Sequence, residues 1–191
     1  MHFRFDISMT EDDYFEYNLF TALKTEQGKK NFRSFRICLC TVSVVALLLC
    51  CDYEVAGNIV TTVVIGIPLL IGLWFVLKPV YRQIIRNQIN ASLKNNKRLY
   101  TPQAVLEFYD EWIAETAPDE VTQIRYNVID RICVSEKGAV YMYLNGMRAY
   151  TIPWQTFHSK EEFDCFIAFM HTRCSNIKFY NWLEKQRCTK N

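Results

Sequence analysis

Histidine is scarce in this sequence: His2, His158 and His171 are the whole supply. The nearest approach to a metal-ligand grouping is His171-x-x-Cys174 with Cys165 and His158. On one helix Cys165 and His171 would point about 120° apart, so they do not share an ion. No Cys-x-x-Cys pair, G-x-S-x-G elbow, phosphate-binding loop, H-E-x-x-H helix or dinucleotide fingerprint occurs either. Glu107, Asp110, Glu111 and Glu115 read as surface charges of strands and turns. No catalytic, metal-binding or cofactor-binding residue is therefore assigned, and the chain is expected not to be an enzyme.

Charge is missing from two stretches. Ile37 to Cys51 holds fifteen uncharged residues, and Ile59 to Leu77 holds nineteen. The second covers about 28 Å as a helix, close to the roughly 30 Å hydrocarbon core of a bilayer. The first becomes adequate if Phe35, Tyr53 and Val55 are counted, with Arg36 snorkelling outward. A secretory signal fits poorly, because 36 residues rich in charge and aromatics come first. Basic residues are missing from the connector Asp52 to Asn58 but plentiful outside it. Lys24, Lys29, Lys30, Arg33 and Arg36 precede the first run, and Lys78, Arg82, Arg86, Lys94, Lys97 and Arg98 follow the second. This asymmetry predicts a two-helix transmembrane hairpin, spans about 36–55 and 58–77, in a plasma membrane with both termini cytoplasmic.

Eight cysteines are present, but their scatter, with four in or beside one apolar run, reads as free thiols in a reducing compartment. Before the hairpin, His2 to Ile7 alternates like a strand. Thr10 with Glu11, Asp12 and Asp13 starts a helix expected to run toward Gln27, where Gly28 ends or interrupts it. After the hairpin, the helical pattern continues through Leu93 and carries a basic stripe. Lys78, Arg82, Arg86, Lys94, Lys97 and Arg98 are candidate lipid-headgroup contacts, each contributing about 1 kcal/mol near an anionic surface.

From about Leu99 onward there are ten basic and twelve acidic residues, a balance that argues against nucleic acid as a partner. Alternating segments near Leu106, Trp112, Val121 and Arg131 predict strands, separated by turns at Ala117-Pro118-Asp119-Glu120 and Glu136-Lys137-Gly138. Asn145-Gly146 between two alternating runs predicts a two-residue hairpin pairing Leu144 with Met147 and Met142 with Ala149. One face then carries Tyr141, Tyr143, Arg148 and Tyr150, a candidate partner face or a face lying under a second layer. Ser159 with Glu162 forms a capping box ahead of Phe163, Phe166, Ile167, Met170 and Cys174. The tail after Ser175 is aromatic and basic.

The order Tyr100-Thr101-Pro102, Glu107-Phe108-Tyr109, Ile124-Arg125-Tyr126, Ile129-Asp130-Arg131-Ile132, Ile152-Pro153 and Phe157 resembles the YcxB-like membrane proteins of bacteria. That resemblance implies two spans and a cytoplasmic strand-rich domain, akin to pleckstrin-homology-like domains; it carries over no catalytic residue. The expected fold is α+β: a transmembrane hairpin plus a cytoplasmic antiparallel β domain closed by a carboxy-terminal helix. The expected divisions are an amino-terminal segment 1–36, the hairpin 37–77, a basic helix 78–98, the β domain 99–174 and a tail 175–191. The expected function is a membrane-anchored interaction module with the bilayer and a protein partner or homo-oligomer as partners. A transport accessory or oligomeric pore is the alternative, and an unrecognised enzyme comes third.

Overall fold

A computed structural model describes residues 1–49, 56–94, 101–118, 120–145, 148–174 and 177–182. Two compact units emerge: residues 1–17 with 98–191, and residues 18–97.

The strand-rich unit begins at the amino terminus. Strand β1 (Phe3–Ser8) pairs antiparallel with β2 (Gln103–Phe108), and β3 (Trp112–Thr116) and β4 (Val121–Arg125) complete a sheet in the order β1-β2-β3-β4. Period-two alternation puts Phe5, Ile7, Leu106, Phe108 and Ile113 on its inner face, all buried. The second sheet has the order β7-β6-β5-β8: β5 (Arg131–Val134), β6 (Val140–Tyr143), β7 (Ala149–Ile152) and β8 (Lys178–Asn181). Strand β8 runs parallel to β5, so the start of the aromatic tail joins the sheet.

A helix closes the core between the sheets. Ser159 accepts a hydrogen bond from the Glu162 N–H at 3.1 Å and starts this helix, Lys160–Arg173. Its Phe163, Phe166 and Met170 are buried against Phe5, Phe108, Ile132, Val134, Met142 and Ile152. Phe166 meets Phe3, Phe5 and Phe108 nearly edge-on, with ring centroids 5.0–5.4 Å apart.

Thr10 caps α1 (Glu11–Lys24): its hydroxyl accepts from the Asp13 N–H, while Asp13 reaches back to the Thr10 N–H at 3.0 Å. The boundary between the units falls within α1, after Tyr17. The predicted end at Gln27 is corrected to Lys24, because Thr25 caps a second helix, α2 (Glu26–Leu49). Its hydroxyl accepts from the Gly28 N–H at 3.1 Å and donates to the Thr21 carbonyl at 2.6 Å. Gly28 sits in the first turn of α2, where a Cβ would collide with the carbonyls of Thr21 and Ala22.

In the helical unit α2 packs along α3 (Ala56–Lys94), a single helix through both Pro68 and Pro79. Phe32 and Phe35 lie 4.9 and 5.5 Å from Tyr81, and Arg36 does not snorkel outward but covers the Trp74 ring.

The expected transmembrane hairpin is overturned: among the described residues, no helix is long and apolar enough to cross a membrane. The first eleven residues of α2, Glu26 to Arg36, are rich in charged and polar side chains. Apolar side chains on both helices, Val42, Leu49, Val64 and Phe75 among them, are exposed. With the spans goes the two-span plasma-membrane location, and with it the side assigned to the termini. The acidic connector Asp52 and Glu54 lies outside the described residues.

The Asn145-Gly146 hairpin is also corrected. Tyr143 pairs with Ala149 and Met142 with Tyr150, one residue out of the predicted register. Leu144 N–H donates to the Arg148 carbonyl at 2.9 Å and the Asn145 side chain accepts from the Arg148 N–H at 2.8 Å, closing a longer loop. Gly146 and Met147 lie outside the described residues. A one-residue slip exchanges the faces of the second strand, so Tyr150 turns into the core.

Candidate interaction face

The residues predicted to share a face do not. Tyr141, Tyr143 and Tyr150 are all buried, and Arg148 alone is exposed. Tyr17 of α1 covers Tyr141 and Tyr143 with centroids 5.4 and 6.2 Å away, and the Arg131 guanidinium lies 4.3 Å from the Tyr143 ring centre. The second-layer alternative holds for these two tyrosines. Arg148 and Tyr150 instead meet Glu115. Its expected place as a surface charge is corrected: it alternates with Ala114 and Thr116 and so faces inward, opposite Leu106 and Thr122. Loss of water pushes its carboxyl above the usual range, against the Tyr150 hydroxyl that donates to it and the Arg148 charge. Burial first, then Glu115, pushes the Tyr150 phenol up to about 12.

The basic stripe is present in part. Lys78, Arg82, Arg86 and Lys94 are exposed on the second half of α3, whereas Lys97 and Arg98 lie outside the described residues.

Chemistry elsewhere is muted. Burial raises the Cys133 thiol to about 12 and the Cys174 thiol to about 11, so both stay protonated at neutral pH. Among the described residues no three His, Cys, Asp or Glu side chains are grouped as a metal site requires, and Cys38, Cys40, Cys133, Cys165 and Cys174 are free.

The feature that sequence reasoning missed is the edge of the first sheet. Ala117 N–H donates to the Glu120 carbonyl at 2.8 Å, so this pair is a hydrogen-bonded one. Alternation then makes Glu115 with Thr122 and Ile113 with Ile124 the other hydrogen-bonded pairs of β3 and β4. The bond from Tyr109 N–H to the Trp112 carbonyl at 3.0 Å sets the complementary phase on the β2 side. The main-chain groups of Val121 and Gln123, with the Arg125 N–H, consequently point away from the sheet, whereas the Arg125 carbonyl opens the 3-10 turn Tyr126–Val128, and β4 has no strand beyond it among the described residues. The opposite edge, β1, lies beside the 3-10 turn Trp154–Thr156.

Exposed apolar surface gathers at the same edge. Val121 is 67% exposed, Val128 48% and Trp112 39%, and Tyr109 stacks on Trp112 at 5.5 Å. The outer face of this sheet also holds an open groove of about 420 Å³, lined by residues that include Asp6, Ser8, Gln103, Val105, Thr116 and Pro118. The sequence signal for the edge was the alternation of Val121 to Arg125 itself; what it lacked was the order of the strands.

These features define an α+β protein with two sheets and a closing helix, in which β4 has an open edge among the described residues. Residues 108–170 match the family described as YcxB-like protein, and the chain carries a YcxB-like domain there. The matched stretch includes most of the sequence landmarks, and they are structural: the Tyr126 hydroxyl donates to the Tyr109 carbonyl at 2.7 Å, Ile129, Ile132 and Phe157 are buried, and Pro153 opens a 3-10 turn. Tyr100-Thr101-Pro102, Glu107 and all of β1 lie outside it. No curated protein matches the chain, and no solved structure does.

Proposed function

We propose that this chain is a non-enzymatic interaction module whose β4 edge takes up an extended segment of a protein partner. The observation that supports it most directly is the outward-facing main chain of Val121 and Gln123, flanked by the exposed Val121 and Trp112. An open edge is a template for another strand: main-chain hydrogen bonds supply affinity and alternate side chains supply selectivity. The pore or transport-accessory alternative rested on the two spans and loses its basis with them.

A photo-crosslinker placed at Gln123 in the full chain, expressed in its native cells, tests this. It is expected to trap one contiguous stretch of one protein. A synthetic peptide of that stretch is then expected to slow amide hydrogen exchange at Val121, Gln123 and Arg125. Absence of adducts, or a trapped peptide that leaves those three amides unprotected, overturns the reading.

A further inference from the structure

Resting on that edge reading, we infer that the segment β4 accepts is acidic and apolar in a set pattern: an acid opposite Arg125, an apolar residue beside it opposite Ile124, and another opposite Val121. The charge comes first. Arg125 is exposed and makes no ion pair or hydrogen bond among the described residues. The other cation on the outer face of this sheet, Arg4, is engaged: it donates to Glu107 at 3.2 Å and lies 3.7 Å from Asp6. Arg131 likewise binds its neighbour Asp130 at 3.0 Å. An incoming strand therefore meets one uncompensated guanidinium, directly across from the position its own side chain takes at about 5 Å.

The apolar positions follow from the pleat. Ile124 points inward and is half-buried against the core, with Ile113 on its β3 side and no strand on the other among the described residues. A residue opposite Ile124 extends that core by one strand. Val121 lies on the outer face with Arg125, four residues away, and two-thirds of it is in water. The segment runs antiparallel to β4, as its neighbour β3 does, so from its amino end it reads acid, apolar, two residues of free choice, apolar. Proteins commonly protect open edges with inward charges, bulges or proline; β4 has none of these and presents a single cation at one end.

The test uses the full chain and two fluorescent peptides, one centred on Glu-Ile-Thr-Thr-Val and the other on Lys-Ile-Thr-Thr-Val. Binding is read by anisotropy and located by amide hydrogen exchange. The Glu peptide is expected to bind about tenfold more tightly than the Lys peptide, the effect of replacing an attractive cross-strand pair by a repulsive one. Arg125→Glu is expected to invert the order and Arg125→Gln to abolish it. Circular dichroism shows whether each variant keeps its fold. Equal binding with both peptides protecting the amides of Val121 and Gln123 overturns the charge pattern and leaves the edge reading intact. If neither peptide protects those amides, both readings fall.

Discussion

Phe5, in the first strand, meets Phe166, in the carboxy-terminal helix, edge to face with ring centres 5.0 Å apart and an interplanar angle of 85°. Both rings are essentially inaccessible to water. The contact joins the two ends of the chain across the core, so the matched stretch 108–170 is completed by a strand encoded far upstream. Phe5→Ala is expected to destabilise the strand-rich unit by about 3–5 kcal/mol, the usual cost of emptying a buried aromatic site. A fragment of residues 101–191 lacks β1 altogether and is expected not to unfold cooperatively. Urea denaturation followed by tryptophan fluorescence checks both, and a cooperative fragment of native stability would sink the idea.

Gly138 has a φ of 86°, and a Cβ placed on it would stand 2.5 Å from the Trp154 ring. Two penalties therefore coincide, a left-handed backbone and an overfilled contact. Gly138→Ala is expected to cost about 1–3 kcal/mol. In the Trp154→Ala background the same change should cost less, because only the backbone penalty remains. Equal costs in the two backgrounds would show that the ring contact contributes nothing.

Glu115 titrates above the ordinary carboxylate value of 4.5 because it loses water between the sheets. A carboxyl raised in the folded state contributes its full stability below the unfolded value, and loses it as pH rises through the folded value. Glu115→Gln is expected to raise the urea midpoint at neutral pH and to confer no advantage below 4.5. The glutamine can still accept from the Tyr150 hydroxyl. A variant less stable than the parent at neutral pH would mean that the Arg148 attraction outweighs desolvation.

Arg36 lies with its guanidinium carbon 3.2 Å from the centre of the Trp74 ring, and its Nε is buried without a hydrogen bond among the described residues. Stacking on the indole face stands in for the missing acceptor and ties α2 to α3. Cation–π pairs of this kind contribute about 0.5–2 kcal/mol. A double-mutant cycle of Arg36→Met and Trp74→Leu should return a coupling in that range, read by thermal unfolding. Additive effects would assign the contact to simple proximity.

The amino-acid sequence by itself determined the local devices: the Thr10 and Ser159 caps, the Ala117-to-Glu120 turn, and the alternation of β1 to β4. Each depends on residues a few positions apart, where side-chain chemistry and backbone period decide the outcome. Tertiary structure decided the rest. The register at Asn145 moved by one residue because its side chain and Arg148 close a longer loop than the dipeptide suggests, and that slip carried Tyr150 inward. Glu115 became an inward carboxyl only once β3 lay between β2 and β4. The long uncharged runs predicted spans, but among the described residues no helix is long and apolar enough to cross a bilayer. That β2 is an inner strand was settled by β1 arriving from the other end of the chain, a pairing between residues about a hundred positions apart that no local pattern encodes.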